Sequence, residues 1–496
     1  MTLEQLDLAL LVGAGVLLIA VSAVRLSTRT GLPSLLLYLG LGLVIGSAGL
    51  EFQNAELTRT LGYVALVVIL AEGGITTPWD QVRPVVAPAA VLGTVGVLVS
   101  VAVTALAAKA VLHADWRFAF LVAAIVSSTD AAAVFSVLRR VPLPRRLAGL
   151  LEAESGVNDA PAVILVVALS TWHSLNGWHV VGLMALELLG GAAVGLGIGF
   201  GSAWLLRRQA LPVAGLYPVA VLAFTVLAYA AAAVMHLSGF IAVYLAGVVL
   251  GNSRLPHRQA VRGFVDGLAW LAQIGLFVML GLLANAEQLG TEVLPAIAIG
   301  LALLLVARPL SVLLCLTPFR IPWREQAFLS WSGLRGAVPI VLATIPVTEA
   351  VRGSQRLFNL VFVLVVIFTL VQAPTLPRVA RMLRLTRGDE AQEMPLEIAP
   401  LGRLDADVLQ IAVPPWSQLI GIEVFELRLP RGANLALVVR AGEAFVPSGG
   451  TRLRPGDDLI VVVPSQLRGS VVRRLRAVSR GGRLAGWYGD HGEPAE

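Results

Sequence analysis

The chain has 496 residues, 57% of them hydrophobic and only 14% charged, with a mean hydropathy of +0.82. Soluble globular domains are about a quarter charged, so this composition excludes a soluble globular protein and describes a polytopic membrane protein. The net charge of +6 does not mark a nucleic-acid binder, because the positive residues, almost all arginine, lie in short loops between apolar runs and in the C-terminal region.

In chain order, the N-terminal "MTLEQLD" is acidic and lacks the basic segment of a cleavable signal peptide, so the first apolar run is expected to remain as a span. Apolar runs long enough to cross a hydrocarbon core of about 30 Å then recur. They predict about 13 transmembrane helices, beginning near Leu6, Pro33, Leu61, Pro84, Arg117, Ala148, Val181, Val213, Gly239, Gly263, Glu292, Glu325 and Leu357. With the N-terminus outside, about 18 arginines fall in inner segments and 5 basic residues in outer ones, a positive-inside bias that puts the C-terminus in the cytoplasm. Cys315, the single cysteine, sits in an apolar run and reads as a small buried residue.

The fifth span contains "SSTDAAAV". Asp130 lies 13 residues from Arg117, about 20 Å along a helix and well inside the membrane. An acid at that depth costs at least about 2.5–3.5 kcal/mol and is functional by default. The sixth span carries "ESGVNDAPAV", with Asp159 at similar depth. Ser155 and Asp159 are four apart and share a face, and Glu154 and Asn158 share a neighbouring one. The twelfth span, "WSGLRGAVP", buries Arg335 among Gly333, Gly336 and Pro339, which cannot easily continue a regular helix. Asp130, Glu154, Asp159, Glu72 and Glu187 are deep enough to partner Arg335, and Glu154 is the expected one; the alternative is that Arg335 reaches a water-filled face. Glu187 and Arg308, also deep, read as structural pairs, and Glu72 as a residue at a span boundary. The fifth and twelfth spans cross in opposite directions, as two discontinuous helices of an inverted repeat would. Asp130 would then neutralise helix N-termini, and Arg335 C-termini.

Beyond Arg387 the pattern turns soluble: an acidic linker over 388–400, a small α+β domain over 401–478, and a tail over 479–496 expected to be disordered. Strands are expected in "ADVLQIAV", on either side of the glycine turn of "LALVVRAGEAFVPSGG", and in "DDLIVVVP", followed by a helix.

The segments "SSTDAAAV", "ESGVNDAPAV" and "WSGLRGAVPIVLA" together resemble the signature regions of monovalent cation:proton antiporters of the sodium/proton exchanger branch, over a transmembrane domain spanning 1–387. The resemblance implies crossed broken helices, a homodimer, and a cation/proton site at Asp159 assisted by Asp130, Ser155 and Thr129. It also implies that Glu154 pairs with Arg335, with Asn158 in support. Electrogenic relatives carry Asp-Asp where this chain has Asn158-Asp159, so electroneutral 1:1 exchange is expected. The C-terminal domain, with "LRPGDDLIVV", resembles the regulatory ligand-binding domain of potassium transport proteins and of potassium/proton antiporters involved in cell-volume control. That favours K+ over Na+ as the transported ion, in a cell or inner membrane, with H+ as the counter-substrate. No cofactor and no enzymatic activity are expected. The alternative is a gated cation channel with a regulatory tail, which would need a repeated selectivity loop that the sequence lacks.

Overall fold

A computed structural model describes residues 3–30, 33–47, 54–130, 133–134, 137, 143–171, 177–209, 211–253, 255–284, 286–385, 396–400 and 406–482. The chain divides into two compact units, Met1–Arg387 and Gly388–Glu496.

The first unit is helical. In order its helices are α1 (Leu3–Thr30), α2 (Ser34–Ser47), α3 (Ala55–Thr76), α4 (Trp79–Leu112), α5 (Trp116–Ser127), α6 (Arg145–Thr171), α7 (Gly177–Arg208), α8 (Leu216–Val234), α9 (Gly239–Asn252), α10 (Arg258–Leu283), α11 (Glu287–Phe319), α12 (Trp323–Trp331), α13 (Ala337–Thr348) and α14 (Ser354–Met382). Among the described residues, eight of these are long and apolar enough to cross a bilayer, and five shorter apolar helices accompany them.

Two interruptions organise this unit. α5 ends at Ser127, where Ser128 turns extended (φ −62°, ψ 142°). The hydroxyls and carboxylate of "SSTD" compete with the helical ladder for backbone partners. α12 ends at Trp331, and α13 resumes after Gly336 (φ −102°, ψ −143°). Pro339 falls in the first turn of α13, where no intrahelical donor is needed. Exposed backbone inside a membrane protein must find partners, and here it does. Gln372 Nε2 donates to the Trp331 carbonyl, Thr369 Oγ1 to that of Arg335, and Arg335 Nη1 to that of Gly333. The Asp130 N–H donates to the Leu334 carbonyl across 2.9 Å, joining the two breaks.

Elsewhere glycines let helices approach closely. A Cβ on Gly42 of α2 would come within 2.0 Å of the Val278 carbonyl oxygen of α10, and one on Gly251 of α9 within 2.1 Å of the Ile75 carbonyl oxygen of α3.

The second unit holds an antiparallel sheet in the order β1-β2-β5-β3-β4, with β1 (Leu396–Pro400), β2 (Ala406–Ala412), β3 (Asn434–Arg440), β4 (Glu443–Phe445) and β5 (Asp458–Pro464), followed by α15 (Arg468–Gly481). Leu459, Val461 and Val463 alternate inward from β5 and join Leu409, Ile411, Val471 and Leu475 in one core. The β3–β4 turn uses Ala441 (φ 51°) and Gly442 (φ 89°), the doubly left-handed turn that matches strand twist. Two expectations need correction. Residues 396–400, read as linker from their acidic neighbours, form β1 because Leu396 and Ile398 pair across from Ile411 and Leu409. The helix continues through Gly481, beyond the expected boundary at 478; the remainder of the expected disordered tail, 483–496, lies outside the described residues.

Candidate functional site

The site forms where α6 passes the break after α5. Asp159, Asn158 and Glu154 are all at most 5% exposed, between the third and fourth turns of α6. The two faces expected from spacing separate as the helix dictates. On one, Ser128 Oγ donates to Asp159 Oδ1, and Ser155 Oγ donates to the Thr129 carbonyl freed by the break at 3.0 Å. On the other, Asn158 Nδ2 donates to Thr129 Oγ1, whose hydroxyl lies 3.3 Å from Glu154 Oε1. Thr129 therefore serves both faces, its carbonyl turned to one and its hydroxyl to the other.

Asp130 sits against the beginning of α13. Its Oδ1 accepts from the Ala133 N–H at 3.2 Å, and a Cβ on Gly336 would lie 1.8 Å from its Oδ2. Only glycine leaves room for the carboxylate at the start of α13, where the positive end of the helix dipole favours it.

The predicted direct pairing of Glu154 with Arg335 does not form. Arg308 of α11 holds Glu154 in a bidentate pair, Nη1–Oε1 at 2.7 Å and Nη2–Oε2 at 2.8 Å, with both side chains buried. A π-turn over Leu303–Ala307 directly precedes Arg308, a local underwinding that re-aims the side chains beyond it. Arg335 lies next to this pair: a Cβ on Gly333 would be 2.9 Å from Arg335 Nη1 and 3.2 Å from Arg308 Nε. Its guanidinium is spent on the Gly333 carbonyl just past the C-terminus of α12, the end that a cation neutralises. The depth of Arg308 in its apolar run was legible in the sequence; that its partner would be Glu154 was not, since nothing in the spacing brings α11 to α6.

A cavity of about 350 Å³ opens from this centre. Thr129, Asp130, Ser155 and Asp159 line one end. The rest is lined by residues including Ser34 at the start of α2, Glu72 and Thr76 near the end of α3, Glu152 of α6, Tyr244 of α9 and Asp266 of α10. Five carboxylates face the space, with no Lys, Arg or His among the described lining residues. Such a cleft concentrates cations. Glu72, expected at a span boundary, lies near the end of α3 and also lines the cavity, and Glu152 and Asp266 carried no role in the sequence reading.

Known proteins agree with this architecture. The solved structure of the sodium proton antiporter MjNhaP1 from Methanocaldococcus jannaschii at pH 8 superposes with a TM-score of 0.67 at 21% identity, covering 77% of this chain and 100% of that one, a likeness of fold. A protein named K(+)/H(+) antiporter NhaP from Alkalimonas amylolytica is 38% identical over 472 residues, 93% of this chain and 82% of the relative. The K(+)/H(+) antiporter NhaP2 of Shewanella oneidensis is 35% identical over 477 residues, 93% and 82%. A Synechocystis protein named Na(+)/H(+) antiporter NhaS2 is 28% identical over 335 residues, 65% of this chain and 61% of that protein. Residues 408–475 match the TrkA-C domain. Residues 16–382 match the sodium/hydrogen exchanger transmembrane family, and with these relatives the chain belongs to that family of multi-pass membrane transporters.

Proposed function

We propose that this protein is a secondary antiporter that exchanges one monovalent cation, K+ in preference to Na+, for one H+, with Asp159 as the exchanging carboxylate. The observation that carries this reading is the carboxylate-lined cavity ending at Asp159. One titrating acid holds either a proton or a hard alkali cation, which carboxylate, hydroxyl and carbonyl oxygens suit. Ser155, Thr129 and Asp130 supply such oxygens around it. Asn158, neutral beside Asp159, leaves a single charge to exchange, which supports electroneutral 1:1 coupling. Glu154 and Arg308, with Arg335, fix the junction of the broken helices and carry no transported ion.

The eight long and five short apolar helices support a thirteen-span topology with an inverted repeat, and the two facing breaks support crossed discontinuous helices. The arginine distribution places the N-terminus outside and the C-terminus in the cytoplasm. The cavity is bounded by the start of α2 and the end of α3, which supports, with that orientation, access to the site from the cytoplasmic side. The protein acts as a homodimer in the inner membrane, and the C-terminal domain binds a small regulatory ligand. The names of the K(+)/H(+) antiporter relatives favour potassium.

The test is transport in proteoliposomes under an imposed pH gradient, with K+, Na+, Li+ and Rb+ added separately. The wild type dissipates the gradient best with K+. Asp159→Asn abolishes exchange while the protein remains folded. Gradient dissipation retained by that variant would overturn the assignment.

A further inference from the structure

The exchanging carboxylate is buried, so the proton it takes up or releases must cross part of the protein, and the face of α6 that lines the cavity carries a second acid. Glu152 and Asp159 are seven residues apart, two helical turns or about 10 Å along α6, and both line the cavity. Gly156 lies between them, and there Tyr244 of α9 stands against the helix. A Cβ on Gly156 would be 2.3 Å from Tyr244 Cζ, the ring carbon that carries the hydroxyl. The absence of a side chain at 156 is what lets the hydroxyl reach this level.

Tyr244 is 95% buried, being 5% exposed, and its oxygen has no hydrogen-bond partner among the described residues. Thr77 lies beside it and gives its own hydrogen to the Gly73 carbonyl, so it can only accept from Tyr244, and the lone pairs of the Tyr244 oxygen stay open to a proton donor. A buried hydroxyl oxygen is costly to leave unpaired, and this one borders a cavity that polar side chains line and that is roomy enough for water. Glu152 Oε2 is likewise buried without a partner. The groups around this pair are acidic: Glu72 of α3, Asp266 of α10, and Asp130 and Asp159 at the inner end. Of the other helices packed on α6, α4 brings Asp80 and Arg83, both exposed, and α7 carries Glu187, which lies beside His236. No base therefore neutralises Glu152 among the residues facing it.

We propose that Glu152 and the Tyr244 hydroxyl form a proton station between the cavity mouth and Asp159, so that protons and cations reach the exchanging carboxylate by different groups. One proton leaves the Glu152 carboxyl for the Tyr244 oxygen as the Tyr244 proton passes to the Asp159 carboxylate, directly or across one cavity water. Glu152 is then reprotonated from the mouth. The reverse sequence discharges Asp159 when a cation arrives, and no other reactant is consumed. Both residues are positioning groups for the proton, and neither holds the transported cation.

The inference rests on Asp159 as the exchanging acid, and the experiment separates the two. Full-length wild type, Glu152→Gln, Tyr244→Phe, the double variant, Glu152→Asp and Asp159→Asn are reconstituted in vesicles, each checked for monodispersity and thermal melting. Proton-coupled K+ flux and proton-independent exchange of isotopic rubidium are measured across the pH range. Glu152→Gln and Tyr244→Phe are expected to lower the maximal proton-coupled rate about tenfold, with rubidium exchange at saturating rubidium changed less than twofold and with the apparent KM for K+ changed less than twofold by Tyr244→Phe, which removes no charge from the cavity. The double variant should be no slower than the slower single one, and Glu152→Asp should recover most of the rate. Equal losses in both fluxes, or an unchanged proton-coupled rate and pH profile in the folded single variants, overturn the station. Exchange retained in Asp159→Asn overturns the site reading and removes the station's destination with it.

Discussion

Glu154 and Arg308 are separated by 154 positions in the chain, yet they form a bidentate, buried pair at the heart of the membrane unit. Removing one partner of such a pair leaves an uncompensated charge and costs about 3–5 kcal/mol, whereas replacing both by apolar groups of similar volume is often neutral. Arg308→Met is therefore expected to lower the thermal melting temperature in detergent far more than Arg335→Met, because Arg335 contributes a bond to one carbonyl and not the direct counter-charge. The double variant Glu154→Leu/Arg308→Met should recover much of the loss. Equal destabilisation by the two arginine variants would return Glu154 to the pairing that the sequence suggested. At this scale the sequence identifies which side chains must be satisfied, because a charge in an apolar run is visible from depth alone. It does not identify who satisfies them: Glu154 had two arginines within reach, and the choice depends on how α11 lies against α6.

At the scale of elements, the contact between α3 and α9 depends on Gly251. Alanine there meets the Ile75 carbonyl oxygen, and overpacking of this kind typically costs about 1–3 kcal/mol. Gly201 of α7 has open space at its Cβ position, so Gly201→Ala should be neutral or stabilising by up to about 1 kcal/mol. Melting curves of the two variants check the contrast. In the second unit the element-joining contact is Asp457. Burial opposes its charge, but hydrogen bonds from Arg440 Nε and Nη2 and from the Arg454 N–H outweigh that, and its carboxyl is held below the usual carboxylate range. A lowered carboxyl pKa contributes stability that is present above the unfolded value, about pH 4, and is lost as pH falls through the folded value. Hydrogen exchange of residues 406–482 in the full chain should accelerate below about pH 4. Asp457→Asn should bring that acceleration to neutral pH, at a cost of about 2–3 kcal/mol. The strands of this unit were legible from alternation and turn chemistry, with β1 the exception: its sequence, following an acidic stretch, acquires strand character only by pairing with β2.

For the whole molecule, the two units match separate families, over residues 16–382 and 408–475. The transmembrane unit contains the cavity and all four oxygen-bearing residues proposed for the cation. A chain ending at Arg387 is therefore expected to retain cation/proton exchange in vesicles while losing any response to a ligand of the C-terminal domain. Loss of exchange on truncation of a folded protein would assign the C-terminal unit to the transport cycle itself.

The sequence by itself determined the membrane class, the deep polar residues Asp130, Glu154, Asp159 and Arg335, and the family likeness, because each follows from local quantities: run length, helical spacing and the cost of charge in hydrocarbon. Only the tertiary structure decided that Arg308 holds Glu154, that Asp130 fits against Gly336, and that Glu72, Glu152 and Asp266 share a cavity with Asp159. Those facts depend on which helices lie side by side, and neighbours in a bundle are chosen by the sum of many packing contacts that no single stretch of sequence contains.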